Sequence, residues 1–369
     1  MKAFKVFSLL IVLTLIVISC NDDCPDEQGD DLISFPYNPE SYTLDLPPHF
    51  PQMYIPNDNP FTKQGITLGR HLFYDPILSA DSSMSCASCH LPSLAFADGK
   101  SVSRGIDGIA GTRSSMSLIN VGFVQSGLFW DGRAKTLEEQ ALLPVEDPIE
   151  LHHTWPQVVE KLKKHPSYPR MFREAFGITS RDQITKELAA KAIAQFERII
   201  ISKDSKFDRV EQNLEIYTDQ ELMGYGIYFD IDPDLPDGEC AHCHNTPLAT
   251  SDAFFNNGLN ESPTLEGFPD LGRGKISGSK ADNGKFRATS LRNIRYSAPY
   301  MHDGRFNTFD QVLDHYLSGG KSSPNKDALI GDINKNKLKP VHIEALKAFI
   351  NTFEDTLFFN NPELQNPFN

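Results

Sequence analysis

The chain has 369 residues, of which 40% are hydrophobic and 23% charged, an ordinary composition for a soluble globular protein. That length is too great for one small core and fits two domains. The formal net charge of −14 argues against nucleic acid or an anionic membrane surface as a partner, because like charges repel. The charge would suit a basic protein partner, although solubility alone also explains it.

Residues 1–19 are predicted to be a signal peptide rather than part of the fold. Lys2 and Lys5 precede an apolar run over residues 7–18, which is shorter than a comfortable membrane span. The run ends in "VISC", and this resembles the lipobox of bacterial lipoproteins, in which Cys20 is lipidated. A plain anchor helix is the alternative. Either interpretation places the chain outside the cytoplasm, on the periplasmic side of a bacterial membrane or at the cell surface.

Residues 20–59 are predicted to form an acidic and proline-rich tether. The stretch "NDDCPDEQGDD" is acidic and without periodicity, and it contains Cys24, to which we assign no role. The proline-rich stretch that follows is expected to lie over a surface. Compact structure is therefore expected to begin near Phe61.

The same short motif occurs twice, as "CASCH" at residues 86–90 and "CAHCH" at residues 240–244. In a Cys-x-x-Cys-His motif the thiols add to the vinyl groups of a haem, and the histidine becomes the proximal ligand of the iron. Disulfides are compatible with export, but the adjacent histidines favour haem. Zinc would need four ligands, which two distant cysteine pairs do not obviously supply. The predicted attachment residues are Cys86, Cys89, His90, Cys240, Cys243 and His244.

The regions before the two motifs also match, which indicates a duplicated unit. "LGRHLFYD", starting at Leu68, pairs with "MGYGIYFD", starting at Met223. Five later segments carry the i, i+3, i+4 apolar spacing of helices: "TLEEQALL", "WPQVVEKLKKH", "TKELAAKAIAQFERIII", "TFDQVLDHYLSGG" and "KPVHIEALKAFINTF". Thr308 is expected to cap the fourth of them, and Gly319-Gly320 to end it.

No convincing alternating strands occur, so the predicted fold class is mainly α. We expect two cytochrome c-like domains, each binding one covalently attached haem. Residues 60–212 are predicted to form the N-terminal domain and residues 213–357 the C-terminal domain. Residues 358–369 are predicted to be a tail.

Over about residues 60–355 the chain resembles the bacterial dihaem cytochrome c peroxidases and MauG-type enzymes. The resemblance rests on the paired motifs, "LGRHLFYDPILS", "FWDGRAKTLEEQALLPVEDPIE" and "APYMHDGRFNTFDQVLDHY". It implies that the N-terminal haem is the peroxide site and that the C-terminal haem relays electrons. It places Trp130 between the haems, and Gln140 and Glu150 in the peroxide pocket. Without it, Glu150 would be interpreted as a solvated carboxylate at a helix start and Trp130 as a core residue.

Glutamate and glutamine suit a peroxide pocket because peroxide must lose a proton from one oxygen and gain one on the other. A carboxylate can move that proton, and an amide can orient the molecule. Peroxidases of the family also carry a distal histidine in the loop after the first motif. This chain has "IDG" at residues 106–108 and no histidine between His90 and His152. We therefore predict an open first haem held by His90 alone, with Met116 as an alternative cap.

The second iron is predicted to take Tyr316 as its other ligand. The family places methionine here in the peroxidases and tyrosine in MauG-type enzymes, fourteen residues after the position of His302. A tyrosinate ligand lowers the potential of a haem, whereas a thioether raises it. Met301 is the competing ligand and His315 a more distant one. A buried helix tyrosine without a ligand role is the remaining alternative.

Family members also hold a calcium ion between the haems, through an asparagine side chain and two backbone carbonyls. The matching positions are Ser114, Ser297 and Pro299, and serine in place of asparagine weakens the match.

The resemblance thus implies a peroxidase that reduces hydrogen peroxide to water with electrons from a small redox protein such as cytochrome c. One alternative is a MauG-like dihaem oxidase that modifies side chains of a partner protein. A second alternative is a non-catalytic electron-transfer cytochrome, whose spectrum would not change when peroxide is added. Family members are often dimers, so a homodimer is also expected.

Overall fold

The computed structural model describes residues 31–368, so the predicted signal peptide, Cys20 and Cys24 lie outside the described residues. The described part is mainly α-helical, as predicted. Its helices are α1 (Lys63–Tyr74), α2 (Leu137–Glu146), α3 (Trp155–Lys164), α4 (Tyr168–Phe176), α5 (Lys186–Arg198), α6 (Lys206–Glu211), α7 (Asp219–Phe229), α8 (Arg273–Ser277), α9 (Phe309–Leu317), α10 (Ala328–Asn336) and α11 (Pro340–Asn351). Across residues 31–368, none of the helices has both the length and the apolar character that a membrane span requires.

Two short strands, β1 (Phe254–Phe255) and β2 (Phe286–Arg287), pair with each other in an antiparallel arrangement. In this pair Phe254 lies opposite Arg287. They are only two residues long, so no alternation of apolar and polar residues could have predicted them. The pair brings the segment after the second motif against the segment before α9.

The five segments with helical spacing form α2, α3, α5, α9 and α11, so these predictions are confirmed. At the start of α9, the Thr308 side chain accepts a hydrogen bond from the main-chain N–H of Gln311. The helix ends at Leu317, and the following Gly319 and Gly320 both adopt positive φ. Left-handed glycines of this kind end helices because they carry no Cβ that would clash with the backbone.

The buried apolar side chains form two clusters. The first contains side chains of α1 to α5 and also takes Phe358 and Leu364 from the end of the chain. The second is built around α7 and α11. Phe207 of α6 packs in this second cluster, although the sequence places it within the first domain. Because Phe358 and Leu364 are buried in the first cluster, the predicted tail at residues 358–369 packs against that cluster.

The sequence repeat corresponds to a repeated helix crossing. Helix α1 packs on α5, and α7 packs on α11. A Cβ at Gly69 would collide with the main-chain oxygen of Ala192, and one at Gly224 would collide with that of Ala345. These two glycines allow the helices to approach backbone to backbone. Gly69 and Gly224 are aligned in the sequence repeat, so the duplication is visible in the packing.

The proline-rich segment before α1 lies on the first cluster and contributes to it. Leu32, Phe50 and Met53 are buried there. The expectation that a tether extends to residue 59, with compact structure from near Phe61, is therefore wrong for residues 32–59. The segment buries isolated side chains from an extended backbone, so it has no apolar period by which it could be recognised.

A buried ion pair ties three parts of the chain together. Arg292, which follows β2, donates hydrogen bonds of 2.6 and 2.8 Å to the carboxylate of Asp208 on α6. Both side chains are completely buried. The imidazole Nε2 of His49, in the N-terminal segment, lies 2.9 Å from the same carboxylate. Because an unpaired buried charge is costly, these three side chains stabilise the contact as a unit.

Candidate active site

The first motif folds into a 3₁₀ turn over Cys86–Ser88, which is followed by Cys89 and then His90. The ring Nδ1 of His90 donates a hydrogen bond of 2.9 Å to the main-chain oxygen of Phe96. This bond fixes the proton on Nδ1 and leaves Nε2 free to bind a metal. Burial lowers the pKa of His90, which favours the neutral imidazole that a ligand must be. Ser115 supports the turn by donating to the main-chain oxygen of Cys89 at 2.6 Å.

The second motif has the same arrangement. The ring Nδ1 of His244 donates to the main-chain oxygen of Thr289 at 3.0 Å, which again leaves Nε2 free. Burial lowers the pKa of His244. The hydroxyl of Tyr228, on α7, donates to the main-chain oxygen of His244. Both histidines are therefore oriented by a backbone carbonyl in the way that proximal ligands are.

All four motif cysteines are free thiols. Burial raises the pKa of Cys240 and of Cys243 to about 12, and it also raises the pKa of Cys86 and of Cys89. Haem attachment consumes two thiols for each macrocycle, and each motif provides two that form no disulfide. The free thiols and the two oriented imidazoles thus fit two covalently attached haems.

A cavity of about 310 Å³ opens beside the second motif. His244 and Cys243 lie on its wall, and Tyr316 reaches it from α9. Trp130 and Val121 form part of the same wall, so the cavity borders the segments that follow the first motif as well. None of the first-motif residues lies on this wall.

The two favoured ligands of the second iron are brought together in this cavity. The amide Nδ2 of Asn257 lies 3.4 Å from both the sulfur of Met301 and the hydroxyl of Tyr316. Burial raises the pKa of Tyr316 to about 12, so its hydroxyl is protonated unless a metal binds it. The more distant candidate, His315, is not on the cavity wall, and its Nε2 donates to the main-chain oxygen of Asn257 at 3.0 Å. This placement argues against His315 as a ligand.

Glu150 lies near the first motif, where its charge contributes to the raised pKa of the Cys86 and Cys89 thiols. Burial and the nearby charge of Asp147 raise the pKa of Glu150, and Arg133 opposes them. Gln140 projects from α2 and is half-buried. The chain therefore has a partly buried carboxyl group with a raised pKa close to the first motif, as general acid–base chemistry requires.

The loop that lacks the distal histidine is attached to the segment around Glu150. The main-chain N–H of Ile106 donates to the main-chain oxygen of Glu150 at 3.0 Å. The imidazole Nδ1 of His152 lies 2.5 Å from the carboxylate of Asp107. These contacts hold residues 106–108 beside Glu150.

Met116 is placed differently from the alternative in which it caps the first iron. Its sulfur accepts a contact of 3.8 Å from the guanidinium of Arg287, on the wall of the second-motif cavity. Its main chain lies beside His90, where it only partly opposes the lowering of that ring's pKa by burial. The adjacent Ser115 hydroxyl is 3.4 Å from Nδ1, so the chain enters Met116 from the Nδ1 side of the ring. This placement argues against Met116 as the cap.

Trp130 contacts segments from both halves of the chain. Its indole Nε1 donates to the main-chain oxygen of Ser114 at 2.9 Å, in the segment that follows the first motif. Its main-chain oxygen accepts from the N–H of Arg287 at 3.0 Å. Its ring packs edge-on against His302, with centroids 6.5 Å apart. Trp130 thus lies between the first-motif segment and the second-motif cavity.

The three calcium candidates, Ser114, Ser297 and Pro299, all lie on the wall of the cavity. The Ser114 hydroxyl donates to the main-chain oxygen of Met301 at 2.9 Å, and its carbonyl accepts from Trp130. The Ser297 hydroxyl donates to a main-chain oxygen at 3.2 Å. Because both Ser114 oxygens already have protein partners, the calcium site stays a prediction from the resemblance.

Two charged residues near the motifs were not found from the sequence. Glu197, on α5, is 4% exposed, its Oε2 has no hydrogen-bond partner, and burial raises its pKa to about 8. When ionised, Glu197 adds to the raised pKa of the Cys86 thiol. The signal was a glutamate inside an otherwise apolar helix face. Arg287, which is 8% exposed, lies in a strand too short to predict.

Comparisons with known proteins agree on one family. The family model described as di-haem cytochrome c peroxidase matches residues 63–215. The methylamine utilization protein MauG of Methylorubrum extorquens is 36% identical over 272 residues, 73% of this chain and 73% of that protein. The cytochrome-c peroxidase IdrP1 of Denitromonas iodatirespirans is 32% identical over 349 residues, 85% of this chain and 88% of that protein.

Solved structures agree with these matches. The crystal structure of a MauG-like protein associated with microbial copper homeostasis has a TM-score of 0.80 and 33% identity, and the match covers 89% of this chain and 100% of that one. The dihaem peroxidase BthA from Burkholderia thailandensis has a TM-score of 0.66 at 21% identity, which shows a shared fold alone. The chain therefore belongs to the family of di-haem cytochrome c peroxidases and MauG proteins, as its motifs predicted.

Proposed function

We propose that this chain is an exported, lipid-anchored dihaem c-type peroxidase that reduces hydrogen peroxide to water with electrons from a small redox protein. One haem is attached in each of two cytochrome c-like domains, through Cys86 and Cys89 and through Cys240 and Cys243. Support for two domains comes from the two apolar clusters and the repeated helix crossings.

The difference between the two motif environments carries the proposal. Near the second motif, Tyr316 and Met301 both lie on the cavity wall beside Asn257, where either would be able to provide a further ligand to a haem iron held there. Near the first motif lies Glu150, a carboxyl group with a raised pKa, and the adjacent loop at residues 106–108 contains no histidine. One site therefore suits electron transfer, and the other suits binding and protonation of a small oxidant.

A haem held by Cys86, Cys89 and His90 would supply the redox chemistry that reduces peroxide by two electrons. Glu150 would take the proton from one peroxide oxygen and return it to the other, which leaves as water. Its raised pKa suits both halves of this transfer, since a group that titrates nearer neutrality can accept and donate. Gln140 orients the peroxide through its amide.

Trp130 provides the contact between the two sites. Its bond to Ser114 attaches it to the segment after the first motif, and its ring lies on the wall of the second-motif cavity. A haem held by His244 would receive the electrons, and Trp130 would form the path from that site to the one at His90. The net reaction consumes two electrons and two protons for each hydrogen peroxide and yields two waters.

A second candidate function is supported by Tyr316. MauG-type enzymes carry tyrosine at this position, and the chain is 36% identical to a protein named MauG. A MauG-like dihaem oxidase would take electrons from side chains of a partner protein rather than from a redox carrier.

Steady-state kinetics tests the proposed function. The purified dihaem protein is mixed with hydrogen peroxide and a pre-reduced small cytochrome c, and oxidation of the cytochrome is followed by absorbance. The proposal predicts sustained turnover, with two cytochromes oxidised for each peroxide consumed. Reaction of the haems with peroxide but no turnover would favour the MauG-like oxidase. Haem spectra that do not respond to peroxide would contradict both.

A further inference from the structure

Arg287 is a buried cation without an acidic partner. It is 8% exposed, and its guanidinium donates to the main-chain oxygen of Gly127 at 3.1 Å and contacts the sulfur of Met116 at 3.8 Å. No carboxylate among residues 31–368 forms an ion pair with it. Burial lowers its pKa to about 10, and the charge of Asp252 only partly opposes this. A buried guanidinium is costly unless an anion balances its charge.

The guanidinium lies on the wall of the cavity beside the second motif. In the part of the chain that the structure describes, Arg287 is the one lysine or arginine on that wall. The two acids on the wall already have partners elsewhere. Asp252 accepts hydrogen bonds from Gln125 and Ser126, and Glu239 lies 3.1 Å from His242. The missing anion must therefore come from the occupant of the cavity.

A polar group without any protein partner lies on the same wall. The hydroxyl of Ser251 is buried, and no protein acceptor or donor contacts it. The main-chain N–H of Ser251 donates to the main-chain oxygen of Cys243, so this hydroxyl is held close to the haem-attachment residues. Buried polar groups in proteins almost always find a partner, so an unpaired hydroxyl on the same wall as a guanidinium without an anion points to a polar part of a ligand.

We propose that Arg287 binds a propionate carboxylate of the haem attached at Cys240 and Cys243. Guanidinium and carboxylate form two parallel hydrogen bonds, the geometry for which arginine is preferred over lysine. The inference rests on the proposed attachment of a haem at the second motif, and it does not require peroxidase activity.

This bond makes Arg287 a positioning residue between the second haem and Trp130. Its main-chain N–H donates to the main-chain oxygen of Trp130, so its backbone is fixed to the tryptophan while its side chain holds the haem. Its contact with Met116 adds the segment that follows the first motif. A cation beside the haem also favours the reduced form, because reduction adds negative charge. Arg287 thus raises the potential of the second haem.

The test is redox titration of the intact dihaem protein, with each haem followed by its own absorbance. In Arg287→Gln the reduction potential of the second haem, which is expected to be low-spin, should fall. The potential of the first haem, which is expected to be high-spin, should stay unchanged. Arg287→Lys keeps the charge and should recover part of the shift. Resonance Raman spectra should show a shifted propionate bending band of the low-spin haem in both variants.

Arg273→Gln is the matched control. Arg273 also donates to main-chain oxygens, those of Asp131 and Gly132, but it is not on the cavity wall. It should lower the melting temperature at most and leave both potentials unchanged. If Arg287→Gln does not fold, Arg287→Lys carries the test through its Raman band. Unchanged potentials and bands in the Arg287 variants would overturn the proposal, and a shift confined to the high-spin haem would overturn the assignment to the second haem.

Discussion

The indole Nε1 of Trp130 donates a hydrogen bond of 2.9 Å to the main-chain oxygen of Ser114, in the segment that follows the first haem motif. Trp130 also lies on the wall of the cavity beside the second motif. Replacing it with phenylalanine keeps an aromatic ring but removes the bond. We expect Trp130→Phe to retain both haems, to lose about 1 kcal/mol of stability, and to pass electrons to the first haem more slowly. Stopped-flow absorbance of the pre-reduced protein mixed with peroxide measures that rate.

Trp155→Phe provides the control for this variant. Trp155 makes the same kind of bond, from its indole nitrogen to the main-chain oxygen of Leu142 at 3.0 Å, but it is not on the cavity wall. It should destabilise the protein without slowing electron transfer. Equal rates in the two variants would show that Trp130 has only a structural role.

Glu150→Gln should remove proton transfer while preserving the size of the side chain. General acid–base groups typically contribute about 10²–10⁴-fold, so the rate of reaction with peroxide should fall by that order. The haem spectra and the melting temperature should change little. Glu146→Gln, at the exposed end of α2, is the control and should react at the native rate. A native rate in Glu150→Gln would remove Glu150 from the mechanism.

The pH dependence of the peroxide reaction should reflect the same group. Burial and Asp147 raise the pKa of Glu150 above its ordinary value of 4.5. The carboxylate must be ionised to accept the first proton, so the rate should fall as the pH is lowered through this raised pKa. The rate should therefore fall at a higher pH than the pKa of an ordinary glutamate would give. This fall should be absent in Glu150→Gln. Measuring the second-order rate constant with peroxide across acidic and neutral pH checks this.

Tyr316→Phe should alter the low-spin ferric signal in electron paramagnetic resonance and leave the high-spin signal unchanged. The Tyr316 hydroxyl and the Met301 sulfur are equally far from the amide of Asn257, so both must be tested. Met301→Leu should leave the low-spin signal unchanged. Tyr300→Phe, which removes a neighbouring hydroxyl bonded to the main-chain oxygen of Ile294, is the control. The opposite pattern, with a change only in Met301→Leu, would assign the ligand to methionine.

The buried ion pair between Asp208 and Arg292 should make stability depend on acid. Burial alone would raise the pKa of Asp208, but the hydrogen bonds from Arg292 outweigh it and lower the pKa to about 2, below the ordinary value of 3.8. The stabilisation is therefore fully present above pH 3.8 and is lost as the pH falls toward 2. Asp208→Asn should cost about 3–5 kcal/mol at neutral pH.

Chemical denaturation at several pH values measures this dependence. Asp58→Asn is the control, because its ion pair with Lys191 is largely exposed and should contribute little. Equal stabilities of the two variants at neutral pH would show that the buried pair does not hold the two halves of the chain together.

The motifs and the helical periods predicted the family and most of the helices because both depend on residue type at fixed spacing. The N-terminal segment was missed since Leu32, Phe50 and Met53 bury single side chains without a period. The carbonyls of Phe96 and Thr289, which orient the two histidines, could not be predicted from the sequence either. Any residue provides a main-chain oxygen, so no sequence signal marks such an acceptor.

The open coordination site on the first haem is the central claim, and electron paramagnetic resonance of the oxidised protein as isolated tests it most directly. The spectrum should contain one high-spin and one low-spin ferric haem, and hydrogen peroxide added without prior reduction should remove the high-spin signal. Two low-spin haems, neither of which responds to peroxide, would contradict the account.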